Sequence, residues 1–131
     1  MDTVRKSIGF MTGLNTIFVT EREGATLIVT PQGGDAGFRY DKIHLEANAV
    51  LRVLDQPEVQ NLIINLSQID YANSIIIGAF IRMARKVTDR GGQSCLCCAT
   101  KETEEVLTTM NLFQLWPHFA TRDEALQSFE S

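Results

Sequence analysis

Ile69-Asp70-Tyr71-Ala72-Asn73-Ser74-Ile75-Ile76-Ile77-Gly78 joins two different periodicities. Before it, Asn61–Leu66 is a short apolar run, rich in β-branched residues and bounded by polar ones, the pattern of a buried strand. After it, Ile77, Phe80, Ile81, Ala84 and Val87 share one face of a helix expected from about Ser74 to Asp89. Gly91-Gly92 ends that helix, as left-handed cap glycines do. Ser74 stands where the two patterns meet. A hydroxyl at a helix N-cap accepts a hydrogen bond from an otherwise unpaired backbone N–H. Phosphorylated, it would place negative charge at the positive end of the helix dipole. The Ile75–Ile77 triplet sweeps about 200° of the helix at roughly 100° per residue, so its members cannot all face one sheet. At least one is expected to be exposed, covered by residues 1–15, or buried in a partner.

Outward from this junction the chain alternates strands and helices. Thr16–Thr20 and Ala25–Thr30 read as a hairpin around a Glu21-Arg22-Glu23-Gly24 turn. Pro31 to Gly37, with Gly33, Gly34 and Asp35, reads as a loop. Ile43, Ala47, Val50, Leu51 and Leu54 predict a helix from about Asp41 to Asp55, stopped before Pro57. Gln93–Ala99 is a second buried-strand pattern. Thr100 can cap a third helix, with Glu102, Glu104 and Glu105 near its positive end and Val106, Leu107 and Met110 as its apolar stripe. Leu112, Phe113, Leu115 and Trp116 form a dense apolar segment before Pro117, with room for a short strand. Thr121-Arg122-Asp123-Glu124 is a capping box opening a last helix that carries Ala125, Leu126 and Phe129. The order ββαβαβα, a short strand, then α predicts an α/β domain. Its sheet is mixed and mostly parallel, with four to five strands and about four helices packed against it. Residues 1–15 read as an N-terminal extension and 16–131 as one domain.

Composition bounds the function. The chain has 131 residues, 44% of them hydrophobic, enough for one core. Its longest uncharged apolar run, Ile75–Ile81, is far too short to span a bilayer. The start carries no signal-peptide pattern, and a cytoplasmic location is expected. Net charge is −4 with basic residues mostly interspersed among acids, so direct nucleic-acid binding is not expected. The local exception is Arg82, Arg85 and Lys86. That group is either a solvated helix face or part of a docking surface for an acidic partner.

No catalytic constellation can be assembled from the residues. Cys95, Cys97 and Cys98 sit in one predicted strand, where alternation points Cys95 and Cys97 to one face and Cys98 to the other. A tetrahedral zinc site needs four donors, and neither His44 nor His118 has ligand spacing to a second one. Buried cysteines acting as small hydrophobes is the favoured reading. There is no Gly-x-Ser-x-Gly elbow around Ser74 and no phosphate-cradling glycine motif. Asp35 and Asp70 could line one sheet edge, but turn capping explains them. No metal, cofactor or enzymatic activity is expected.

The order of elements, with serine at this strand-to-helix junction, resembles the STAS domain, and within it the bacterial anti-sigma factor antagonists. The resemblance covers about residues 16–129. Gly33-Gly34-Asp35 resembles the family's Gly-Glu-(Ile/Leu)-Asp loop. Asn61 to Ala72 resembles its third strand and following turn. Asn73-Ser74-Ile75-Ile76-Ile77-Gly78 falls on its Asp-Ser-(Ser/Thr)-Gly-Leu-Gly motif. Here Asn73 replaces the aspartate, Ile75 a hydroxyl residue and Ile76 a glycine, while Ser74 and Gly78 keep the family's residues. The Gly91-Gly92 turn, Met110-Asn111-Leu112 and Asp123-Glu124-Ala125-Leu126 also fit its rhythm.

The resemblance implies a non-enzymatic module that works by partner switching. Its partner would be an anti-sigma factor that is also a serine kinase, and a phosphatase would reset the switch. Ser74 would be the phosphoacceptor. Asp35, Asn73, Ile75, Ile76, Gly78 and Arg82 would be partner-binding candidates, and a homodimer stays open. Two alternatives come from other classes. One is a constitutive scaffold or transporter-associated subunit, with the isoleucine-rich helix end as a permanent contact. The other is a small-ligand domain using the Gly33–Gly37 loop.

Overall fold

The computed structural model describes residues 17–32, 40–69, 74–114 and 116–129. Five strands form one sheet in the order β1-β2-β3-β4-β5, the same as their order along the chain. The strands are β1 (Phe18–Glu23), β2 (Thr26–Pro31), β3 (Asn61–Asn65), β4 (Ser94–Cys97) and β5 (His118–Phe119). The helices are α1 (Tyr40–Leu54), α2 (Ser74–Thr88), α3 (Lys101–Thr109) and α4 (Arg122–Ser128). Only the β1–β2 pair is antiparallel. The other neighbours are parallel, with Leu27 opposite Leu62, Ile64 opposite Leu96 and Leu96 opposite His118. This is the expected mixed, mostly parallel sheet with four helices.

The β1–β2 hairpin runs further than its sequence pattern. Glu21, Arg22 and Glu23 belong to β1 rather than to a turn, and Glu23 pairs with Thr26 across Gly24-Ala25. Gly24 takes the left-handed conformation, φ +59°, that such a tight turn requires. The extended strand is met by a residue about a hundred positions away. Arg122, at the start of α4, meets Glu21 at 3.0 and 2.9 Å and Glu23 at 2.8 Å. These carboxylates, Glu21 first, raise the guanidinium's pKa above its ordinary value. Charged residues along this edge also discourage further strand pairing.

The sheet's two faces are unequal. α1, α2 and α3 cover one face over a core that includes Phe18, Leu27, Val29, Ile43, Leu54, Leu62, Ile64, Phe80, Met83, Leu96 and Leu107. Phe18 and Phe80 meet edge to face, ring centroids 6.4 Å apart. Among the described residues, α4 is the helix that packs on the other face, with Ile28, Ile63, Cys95, Cys97 and Ala125 buried together. Cys98 joins this second cluster instead of pointing away from it. Its φ of +63° breaks the strand alternation and turns the side chain back. Burial pushes the Cys95 thiol up to about 12, against a hydrogen bond with Ser128. Burial likewise raises the Cys97 thiol. Both stay protonated at neutral pH, as small core hydrophobes.

Local signals explain the helix ends. Thr121 Oγ1 accepts from the Glu124 N–H at 3.1 Å and caps α4, while Glu124 Oε1 accepts from the Ala120 N–H at 3.2 Å, one residue before the cap and not from Thr121 itself as a full capping box would have it. α3 begins at its Thr100 cap and ends at Asn111, whose φ is +58°. Met110 is 44% exposed beyond the last helical residue, so it does not extend the apolar stripe. Thr103 takes a fully buried place on that helix. The apolar segment before Pro117 contains a 3-10 turn at Leu112–Gln114, and β5 follows the proline.

Candidate partner-binding surface

The parallel β3–α2 unit sets the site. α2 starts at Ser74, which is exposed at the helix's first residue. Ser74 therefore lies inside the helix, as its first residue, and not in the N-cap position ahead of it. Asp35, Asp70 and Asn73, the Gly33–Gly37 loop and residues 1–15 lie outside the described residues.

The isoleucine triplet divides as helix geometry demands. Ile76 is 7% exposed and Ile77 is 1% exposed, both in the core. Ile75 is half-buried, packed against the core's margin and open on its other side. Surface apolar character at this end therefore rests on Ile75, while Ile76 anchors the helix from inside.

Ser74, Gly78, Arg82 and Arg85 fall within an arc of about 80° on α2, at roughly 100° per residue. Ser74, Arg82 and Arg85 are exposed and Gly78 is half-buried. A methyl group built at Gly78 would meet no atom of the described residues within 4 Å beyond the helix's own backbone. The surface there is a shallow gap between a hydroxyl and two guanidinium groups. Lys86 is not available to it in the same way, since it pairs at 2.9 Å with Asp55, the residue just past the end of α1.

The opposite end of α2 is pinned. The Gly92 N–H donates to the Val87 carbonyl and the Gly91 N–H to the Thr88 carbonyl, both at 3.0 Å, with Gly91 at φ +86°. These two bonds make a Schellman cap. Arg90 donates to the Leu54 carbonyl, and to the Gln56 carbonyl at 3.1 Å, closing the exposed end of α1. A methyl group at Gly92 would lie 1.9 Å from the Gln60 carbonyl oxygen.

The junction is also held from α3. Thr103 Oγ1 lies 3.1 Å from the Ile69 carbonyl oxygen, and Thr100 Oγ1 lies 3.4 Å from it. Thr103 escapes pattern reading, because a threonine among apolar helix positions looks like a lapse in the stripe. The usable signal was the Thr100-x-x-Thr103 spacing, which puts a second hydroxyl beside the cap.

Among the described residues no group of three or more His, Cys, Asp or Glu side chains could hold a metal ion. No described helix is long and apolar enough to cross a membrane.

Comparison with known proteins joins this geometry to a family. No curated protein matches the chain significantly. A crystal structure of a candidate anti-sigma factor antagonist from Thermotoga maritima superposes with a TM-score of 0.77 at 19% identity, covering 88% of this chain and 97% of that one. The Bacillus cell fate determinant SpoIIAA in its phosphorylated form gives 0.66 at 18% identity, covering 85% and 97%. The STAS domain of a SulP transporter from Vibrio cholerae gives 0.64 at 15% identity, covering 94% and 93%. At these identities the likeness is one of fold. The family description of the STAS domain matches residues 18–125, most of the chain, and the protein belongs to the STAS domain family.

Proposed function

We propose that this STAS domain is a non-enzymatic regulatory module of the anti-sigma factor antagonist type. It works in the cytoplasm by partner switching, with Ser74 as the phosphoacceptor. The observation that carries this reading is the outward stripe Ser74–Gly78–Arg82. A glycine inside a helix costs about 1 kcal/mol relative to alanine. Among the described residues no packing at Gly78 calls for it, since a Cβ there would meet none of their atoms within 4 Å beyond the helix's own backbone. Close approach of a partner's backbone does call for it. Ile75 supplies the apolar contact beside the gap. Arg82 and Arg85 favour a partner with an acidic surface. The family resemblance adds Asp35 and Asn73 to the contact.

Phosphorylation fits this surface as a release step. A kinase transfers the γ-phosphoryl group of ATP to Ser74 Oγ, which gives up its proton, and ADP leaves. The product carries about two negative charges where a partner would pack. Position 78, one helical turn on, is a glycine and offers no charge to neutralise it. The hydrated phosphate then opposes docking.

The test is incubation with a kinase-type anti-sigma factor from the same genome and ATP, with sites mapped by mass spectrometry. Phosphate on Ser74, absent from Ser74→Ala, and dissociation of the complex on modification are expected. An unmodified Ser74 would sink the switch. The SulP transporter domain among the structural neighbours supports a second reading, a constitutive scaffold or transporter-associated subunit. Partner binding that Ser74→Asp leaves unchanged would favour it.

A further inference from the structure

We infer that Thr103, backed by Thr100, is a positioning residue for the strand-to-helix junction that carries Ser74. This rests on the reading of Ser74 as the regulated residue. Thr103 is fully buried in α3. Its Oγ1 donates to the Ile69 carbonyl at 3.1 Å. Thr100 Oγ1 lies 3.1 Å from Thr103 Oγ1 and accepts the Thr103 N–H at 3.2 Å. With one proton on each hydroxyl, the bonds make a directed chain from Thr100 O–H to Thr103 O–H to the Ile69 carbonyl. Such a chain strengthens each of its members.

The position of that carbonyl gives the chain its meaning. Ile69 is buried just past the end of β3, and the segment from Asp70 leads directly to Ser74. Upstream, the Leu66 N–H donates to the Cys97 carbonyl at 2.8 Å, so β3 is held to the end of β4. Beyond Leu66 the ladder stops, and the threonine pair takes over the tether. A helix that needed only burial at 103 would use valine, which fills the same space. The hydroxyl serves the Ile69 carbonyl it holds and the Thr100 hydroxyl that donates to it. α3 therefore sets where the junction starts, and a partner or modification that shifts α3 would shift the acceptor.

Hydrogen exchange of the full chain, read by mass spectrometry on peptides covering 67–80 and 81–90, tests this. In Thr103→Val, exchange in 67–80 is expected to be roughly tenfold faster, as loss of one buried hydrogen bond implies. Exchange in 81–90 should be unchanged, and Thr103→Ser should restore the wild-type rate. Thr103→Ala serves if the valine variant does not fold. Unchanged exchange in 67–80, an equal rise along all of α2, or failure of serine to restore the rate would overturn the inference. Exchange needs no kinase, so this result is separate from the phosphorylation result. If Ser74 is phosphorylated, Thr103→Val should lower kcat/KM for that modification about fivefold, with rescue by serine. An unchanged kcat/KM would deny Thr103 a part in presenting Ser74.

Discussion

The two ends of α2 use glycine for opposite reasons. At the C-terminal end Gly92 lies against the Gln60 carbonyl, where a methyl group would come within 1.9 Å. Gly91 and Arg90 complete a capped and bonded corner there. At the N-terminal end Gly78 has no atom of the described residues within 4 Å of where its Cβ would be, beyond the helix's own backbone. The first glycine is demanded by the fold. The second weakens its helix and has no described neighbour to justify it. The proposed partner surface is the reason we assign to this second glycine, and the contrast between the two ends tests that assignment.

Alanine at each end puts the contrast at risk. Gly92→Ala should destabilise the domain by about 3 kcal/mol in urea unfolding, because backbone on both sides must shift. A loss under about 1 kcal/mol would show that the corner yields and is not demanded by the fold. Arg90→Ala should cost about 1.5 kcal/mol, since it takes charged donors from two carbonyls closing α1. A neutral result would mean that water satisfies those carbonyls equally well. Gly78→Ala should do the reverse and raise stability by about 1 kcal/mol. The same variant should weaken the partner complex in calorimetric titration. Unchanged binding would remove Gly78 from the contact and leave the stripe without its centre.

Legibility in the sequence followed the range of the interactions. α1 and α2 could be read within a residue or so at each end, because their stripes and stops are local. The Thr121 cap formed as spelled, for the same reason, though Glu124 reaches back to Ala120 and not to Thr121. β1 was misjudged at Glu21 to Glu23 because their charges read as a turn, whereas they pair with Ile28 to Thr26 and meet Arg122, which no local window contains. Lys86 looked like one member of a basic group until α1 brought Asp55 against it. Cys98 defied alternation because a left-handed φ at a non-glycine residue leaves no mark in composition. At the candidate site, the position of Ser74 and the amphipathic face behind it were readable. The division of labour among Ile75, Ile76 and Ile77 was not, since it depends on how α2 is rotated against the sheet.

The coincidence of sheet order with chain order has a consequence for assembly. Each strand pairs with the one made just before it, so no late strand must be inserted between two earlier ones. The β1–β2 hairpin is the most local pairing, and β3 and β4 can add to its growing edge in turn, each followed by the helix that covers it. Loop-closure costs are met in small steps, which keeps a largely parallel sheet from the slow search that distant strand pairing imposes. On a ribosome, this sheet could grow at the pace of synthesis, with the two-residue β5 as its final stitch.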